Sequence, residues 1–270
     1  MTSHPGIRLG LSLFPAFLVA SVFAAPAGPA TSPSPPPVIV CKGPFRGHLQ
    51  GVAANPARTV FYWSFTRHLV KTDAAGKILL KKDVPSHHGD LAWHAGKLYV
   101  AVNFGAFNQP AGKADSWVYV YADDDLRLVA KHPVPEVVHG AGGMACDGRR
   151  FVIVGGLPKG IKENYVYEYD LELHFVKRHV LPSGYTNLGI QAAAYDGRDW
   201  WFGCYPRTLL KTDGSFHLTG TYPVGASYGL VPMANGLFLV AQHIPPKWSA
   251  RLIPFRVDEK AGLKPLDSRP

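Results

Sequence analysis

Cysteine and acid are both in short supply. The 270-residue chain has 3 Cys, 3 Met and 19 Asp plus Glu, against 28 Lys plus Arg. Cys41, Cys146 and Cys204 cannot form a fully paired framework, and all three stand in apolar strand contexts, so buried free thiols are expected. Helical periodicity is missing throughout, which excludes helix bundles and doubly wound sheets. There is no basic helix and no aromatic-basic sheet signature, so no nucleic-acid partner is expected. The formal charge of +9 then points to acidic glycans, phosphorylated compounds or an anionic envelope, although Lys and Arg are spread out instead of clustered.

One long uncharged run exists, and it is N-terminal. Arg8 precedes Leu9 to Ala25, and Ala24, Ala25 and Ala27 offer small residues for cleavage, so residues 1–25 read as a secretory signal peptide. The run is short for a span, contains Pro15 and lacks a charged stop, which argues against a transmembrane anchor. Residues 26–37 form a Pro/Ala/Ser-rich linker with no apolar surface to bury. The folded domain is expected over 38–270, secreted or periplasmic, and monomeric, since no pattern suggests a large exposed apolar face.

What the domain has is a repeat. Segments beginning at Gly47-His48, Ser86-His87, His139-Gly140, Asn187-Leu188 and Ser227-Tyr228 each open a short apolar strand. If Gly51, Asp90, Gly143, Gln191 and Gly229 are equivalent, the steps are 39, 53, 48 and 38 residues. Such a period implies stacked sheet units. Aromatic and β-branched strands separated by Asp-Gly, Ala-Gly and Asp-Asp-Asp turns predict four antiparallel strands per unit, and hence an all-β, five-bladed β-propeller. The last copy lacks a convincing fourth strand while Val38 to Cys41 has no home, so the N-terminal strand is expected to complete the last blade.

In such a ring the loops entering the inner strands share one face with the second-to-third strand connections. These entries supply His48, Gln50, His87, His88, Asp90, His139, Gln191 and Tyr228, and the connections supply Arg67, Asn103, Arg207 and Trp248. Imidazole is both a common metal ligand and a proton-transfer group. His48, His88, His139 and Asp90 are therefore candidate ligands for a divalent ion such as Zn or Ca, with no organic cofactor expected. His87, His88, His139 and Tyr228 are candidate acid–base groups, and Gln50, Arg67, Asn103, Gln191, Arg207 and Trp248 candidate substrate contacts. A glycosidase needs two facing carboxylates, but only Asp90 sits on an entry strand, with Glu136 and Glu163 in nearby loops. No Gly-x-Ser-x-Gly elbow is present.

The size, the export signal and the entry Leu49-Gln50-Gly51-Val52 resemble the secreted glutaminyl cyclotransferases of the propeller type. That resemblance implies a five-bladed architecture. For cyclisation chemistry the entries depart from that family's pattern, since His139-Gly140, Ile190-Gln191 and Tyr228-Gly229 stand where those enzymes carry carboxylates. Two function classes lead, with glutaminyl cyclotransferase-like amide chemistry behind them. The first is one central polar pocket for a small or carbohydrate-like ligand, anionic ones included, with metal-assisted hydrolase or lyase chemistry as its enzymatic form. The second is a non-catalytic propeller that binds sugar or protein.

Overall fold

A computed structural model describes residues 1–2, 36–246 and 248–266. The expected signal peptide over 1–25 and most of the linker over 26–37 lie outside the described residues. The chain divides into units Met1–Ser34 and Pro35–Pro270, and every described strand is in the second.

The strands form five antiparallel sheets. The first blade is β2 (Leu49–Ala54), β3 (Val60–Phe65), β4 (His68–Asp73) and β5 (Ile78–Asp83); the second is β6 (His88–His94), β7 (Lys97–Asn103), β8 (Ser116–Ala122) and β9 (Leu128–Pro133). The third is β10 (Ala141–Cys146), β11 (Phe151–Gly155), β12 (Asn164–Tyr169) and β13 (Phe175–Leu181), and the fourth is β14 (Asn187–Tyr195), β15 (Trp200–Tyr205), β16 (Thr208–Thr212) and β17 (Leu218–Tyr222). In the fifth, β18 (Leu230–Pro232), β19 (Leu237–Ile244) and β20 (Ser249–Asp258) lead outward. The inner strands contact one another in sequence, and β18 returns to β2, so the protein is a five-bladed β-propeller.

The N-terminal strand β1 (Ile39–Cys41) pairs with β20, Ile39 opposite Leu252 and Cys41 opposite Ala250, and so closes the ring. One expectation needs correction here. The fifth blade also has a C-terminal outer strand, β21 (Gly262–Pro265), paired with the far half of β20 from Phe255 to Asp258. The ten-residue β20 is long enough to seat both.

Between blades, the aromatic residues of the second and third strands fill the interior. Trp63, Trp200, Trp201, Phe202 and Phe238 are all buried, and each contributes roughly 3 kcal/mol through burial of its side chain. Cys41 and Cys204 are buried free thiols as expected, and burial pushes both up to about 12. Cys146 is free but only half-buried.

The hub explains two glycines. A Cβ on Gly51 would collide with the Asp90 carboxylate, and one on Gly143 would lie 2.6 Å from the Gln191 carbonyl oxygen. The inner strands approach too closely there for side chains on every blade.

Candidate functional site

Four inner strands carry a β-bulge close to their entry. The register slips between Leu49 and Gly51, His88 and Leu91, Ala141 and Gly143, and Ile190 and Ala192. The extra residue re-aims neighbouring side chains. Gln50 and Gln191 occupy the slip in the first and fourth blades, and Asp90 lies within it in the second.

Gln50 is the centre of a polar cluster. Its side-chain amide nitrogen lies 2.8 Å from His48 Nε2, 2.7 Å from His87 Nε2 and 3.2 Å from Thr66 Oγ1. His48 in turn faces His243, with ring centroids 6.3 Å apart, and Tyr228 at 6.2 Å. Tyr228 packs edge-on against Tyr205 at 5.5 Å, and Trp248 covers His243 at 5.1 Å. The ring thus joins blades one, two, four and five at one mouth.

Burial and mutual repulsion keep these imidazoles neutral. His48 is lowered to about 4, first by desolvation and then by His87 and His243; burial also lowers His87 and His243. The Leu49 N–H donates to His243 Nδ1 at 3.5 Å, which places that imidazole's proton on Nε2. His243 Nε2 is buried and has no hydrogen-bond partner among the described residues. An orphan donor of this kind costs about 1–3 kcal/mol. It is explained most simply by an incoming acceptor.

The remaining sequence candidates go elsewhere. His88 donates from Nδ1 to the Pro85 carbonyl at 2.8 Å and accepts at Nε2 from the Tyr121 hydroxyl at 2.7 Å, fully buried between Tyr119 and Tyr121. Burial lowers it to about 4. His139 uses Nδ1 on the Gln109 carbonyl at 2.8 Å and packs beside Tyr165. Asp90 is a staple across the axis. Its Oδ1 accepts from Val52 N and its Oδ2 from Ala193 N, each at 3.1 Å, and burial raises its carboxyl well above the usual range. The three do not share a site with His48. No group of three or more His, Cys, Asp or Glu arranged to hold a metal ion occurs among the described residues.

Gln191 donates to the Leu188 carbonyl. Asn103 braces its own long connection, donating to Gly105 O and accepting from Asp115 N, both at 2.9 Å. Arg67 and Arg207 are exposed in the β3–β4 and β15–β16 turns, on the same face as the imidazoles. The sequence places His243 among the connections on this face without a chemical role, and it gives none to Thr66. His243 closes the second strand of its blade where Asn103 and Tyr205 close theirs, and that equivalence was the available signal.

Two recesses open on this face. One, of about 240 Å³, is bounded by Pro206, Ser227, Tyr228 and His243. The other, of about 580 Å³, lies between Phe107, Gln109, Leu157, Lys159, Tyr185 and Asn187. His139 supports the wall of the larger recess through Gln109.

No protein-family model matches the sequence, and no curated protein matches it. Among solved structures, a chain of the nidogen/laminin complex is 9% identical, with 81% of this chain and 78% of that one aligned at a TM-score of 0.51. BamB from Moraxella catarrhalis is 13% identical over 82% of this chain at a TM-score of 0.40, and this chain spans 61% of its length. The computationally designed Ika4 protein is 11% identical over 67% of this chain and 94% of its own, at a TM-score of 0.38. At these identities the nidogen/laminin likeness supports the propeller architecture and nothing finer.

Proposed function

We propose that this is an exported propeller whose imidazole-lined face binds a small, hydroxyl-rich, carbohydrate-like ligand. The observation that carries the reading is the buried His243 Nε2, without a hydrogen-bond partner among the described residues, inside a cluster of neutral donors and acceptors and beside the exposed Trp248. Neutral imidazoles and an amide suit hydroxyl groups, and an aromatic face suits the apolar side of a sugar ring. Arg67 and Arg207 on the same face, with the net charge of +9, favour an acidic sugar over a neutral one.

Binding is favoured over base catalysis by the strength of the groups. An imidazole lowered to about 4, as His48 is, is a weak general base at neutral pH. A metal-assisted hydrolase or lyase would have to use His48, His87 and His243 in place of the set His48, His88, His139 and Asp90, because the latter three are engaged in internal hydrogen bonds. Cyclotransferase-like amide chemistry has less support, since the entries at His139, Gln191 and Tyr228 lack carboxylates.

Screening neutral and uronate-containing oligosaccharides by glycan array, then calorimetry on the hits, tests the reading. Gln50→Ala and Trp248→Ala are each expected to weaken binding about tenfold or more, on the order of 1.4 kcal/mol. Absence of saturable binding to any saccharide, with product formation and a stoichiometric metal instead, would overturn it in favour of the enzyme.

A further inference from the structure

The central channel has a second end. Two residues beyond Gly51, Asp90, Gly143, Gln191 and Gly229, the inner strands carry Ala53, Ala92, Ala145, Ala193 and Val231. These small side chains surround a cavity of about 370 Å³ that opens among the turns of the face opposite the imidazoles. Asp90 separates it from the upper site, since Val52 and Ala193, which donate to its carboxylate, both line the cavity. Close packing would have filled such a hub with larger residues if support were its only role.

The wall is aliphatic, but the rim is not: Arg58, His94, Cys146 and Tyr195 stand there. Arg58 is half-buried. Its Nε donates to Pro232 O at 3.0 Å and its Nη1 to Asn55 O at 2.9 Å, leaving Nη2 without an acceptor among the described residues. It makes no ion pair among the described residues. The carboxylates of the neighbouring turns are committed elsewhere, Asp147 to Arg150 and Asp196 to Trp201. A partly desolvated cation with no counter-charge at the rim of an apolar throat complements an anion with an apolar body.

We propose that this lower mouth binds a medium-chain fatty acid, its alkyl chain in the alanine-lined throat and its carboxylate on the Arg58 guanidinium. The site is distinct from the carbohydrate reading and stands without it.

Cys146 reports occupancy. It is half-buried with Sγ 3.6 Å from His94 Nδ1, whereas Cys41 and Cys204 are buried. The rate at which a maleimide labels Cys146 in the full chain is measured by mass spectrometry with octanoate or 1-octanol present. Octanoate is expected to slow labelling saturably, about tenfold or more, and octanol to need a concentration about tenfold higher. Arg58→Gln should remove that difference and Ala145→Leu should abolish protection by both. Wild-type protein that octanoate fails to protect, or that octanol protects equally well, overturns the proposal whatever the variants do.

Discussion

His88 and Asp90 are separated by one residue and show how a polar side chain at the hub becomes internal structure. His88 stays neutral down to about pH 4, whereas an unfolded imidazole protonates near 6.5. Between those values the unfolded chain binds the extra proton, so stability falls as the pH drops through the window. The loss for this buried group is about 2 kcal/mol from pH 7 to pH 5. His48 and His87 act in the same direction; Asp90, with a raised carboxyl, acts against them. The melting temperature should therefore fall between pH 7 and pH 5, and His88→Gln should flatten that slope while lowering stability at pH 7. An unchanged slope in the variant would contradict the role assigned to His88. Asp90→Ala strands the Val52 and Ala193 N–H groups and is expected to cost about 2–5 kcal/mol in urea unfolding.

At the scale of the strand, ring closure was legible and its full form was not. An orphan apolar tetrad before the first repeat and a missing strand in the last had one economical solution, and β1 adopts it. The strand β21 escaped notice because Gly262 to Pro265 is four residues with Leu263 as its only large buried side chain, too brief for alternation to register. Deleting residues 36–41 removes the buried Ile39 and Cys41, a loss of roughly 3 kcal/mol. It also bares half of the β20 edge. Melting should drop and size-exclusion chromatography should show edge-paired dimers; an unaltered monomer of native stability would mean that β21 alone closes the ring.

For the whole molecule, the period of the repeat was enough to give the blade count, because spacing and turn chemistry survive without coordinates. Gln50, His48, His87 and Tyr228, all taken from blade entries, are neighbours at one mouth. The repeat could not show that the Nδ1 atoms of His88 and His139 are engaged by the Pro85 and Gln109 carbonyls, because its period carries no information on side-chain hydrogen bonds. The central claim is that this mouth holds neutral imidazoles poised for a ligand. Nitrogen-15 NMR of the histidine rings, followed with pH and with added acidic oligosaccharide, tests it most directly. The His48 ring should remain neutral to about pH 4, and His48, His87 and His243 should shift together on saccharide addition, but not in Gln50→Ala. A His48 that titrates with the exposed histidines, and rings indifferent to every saccharide, would contradict the account.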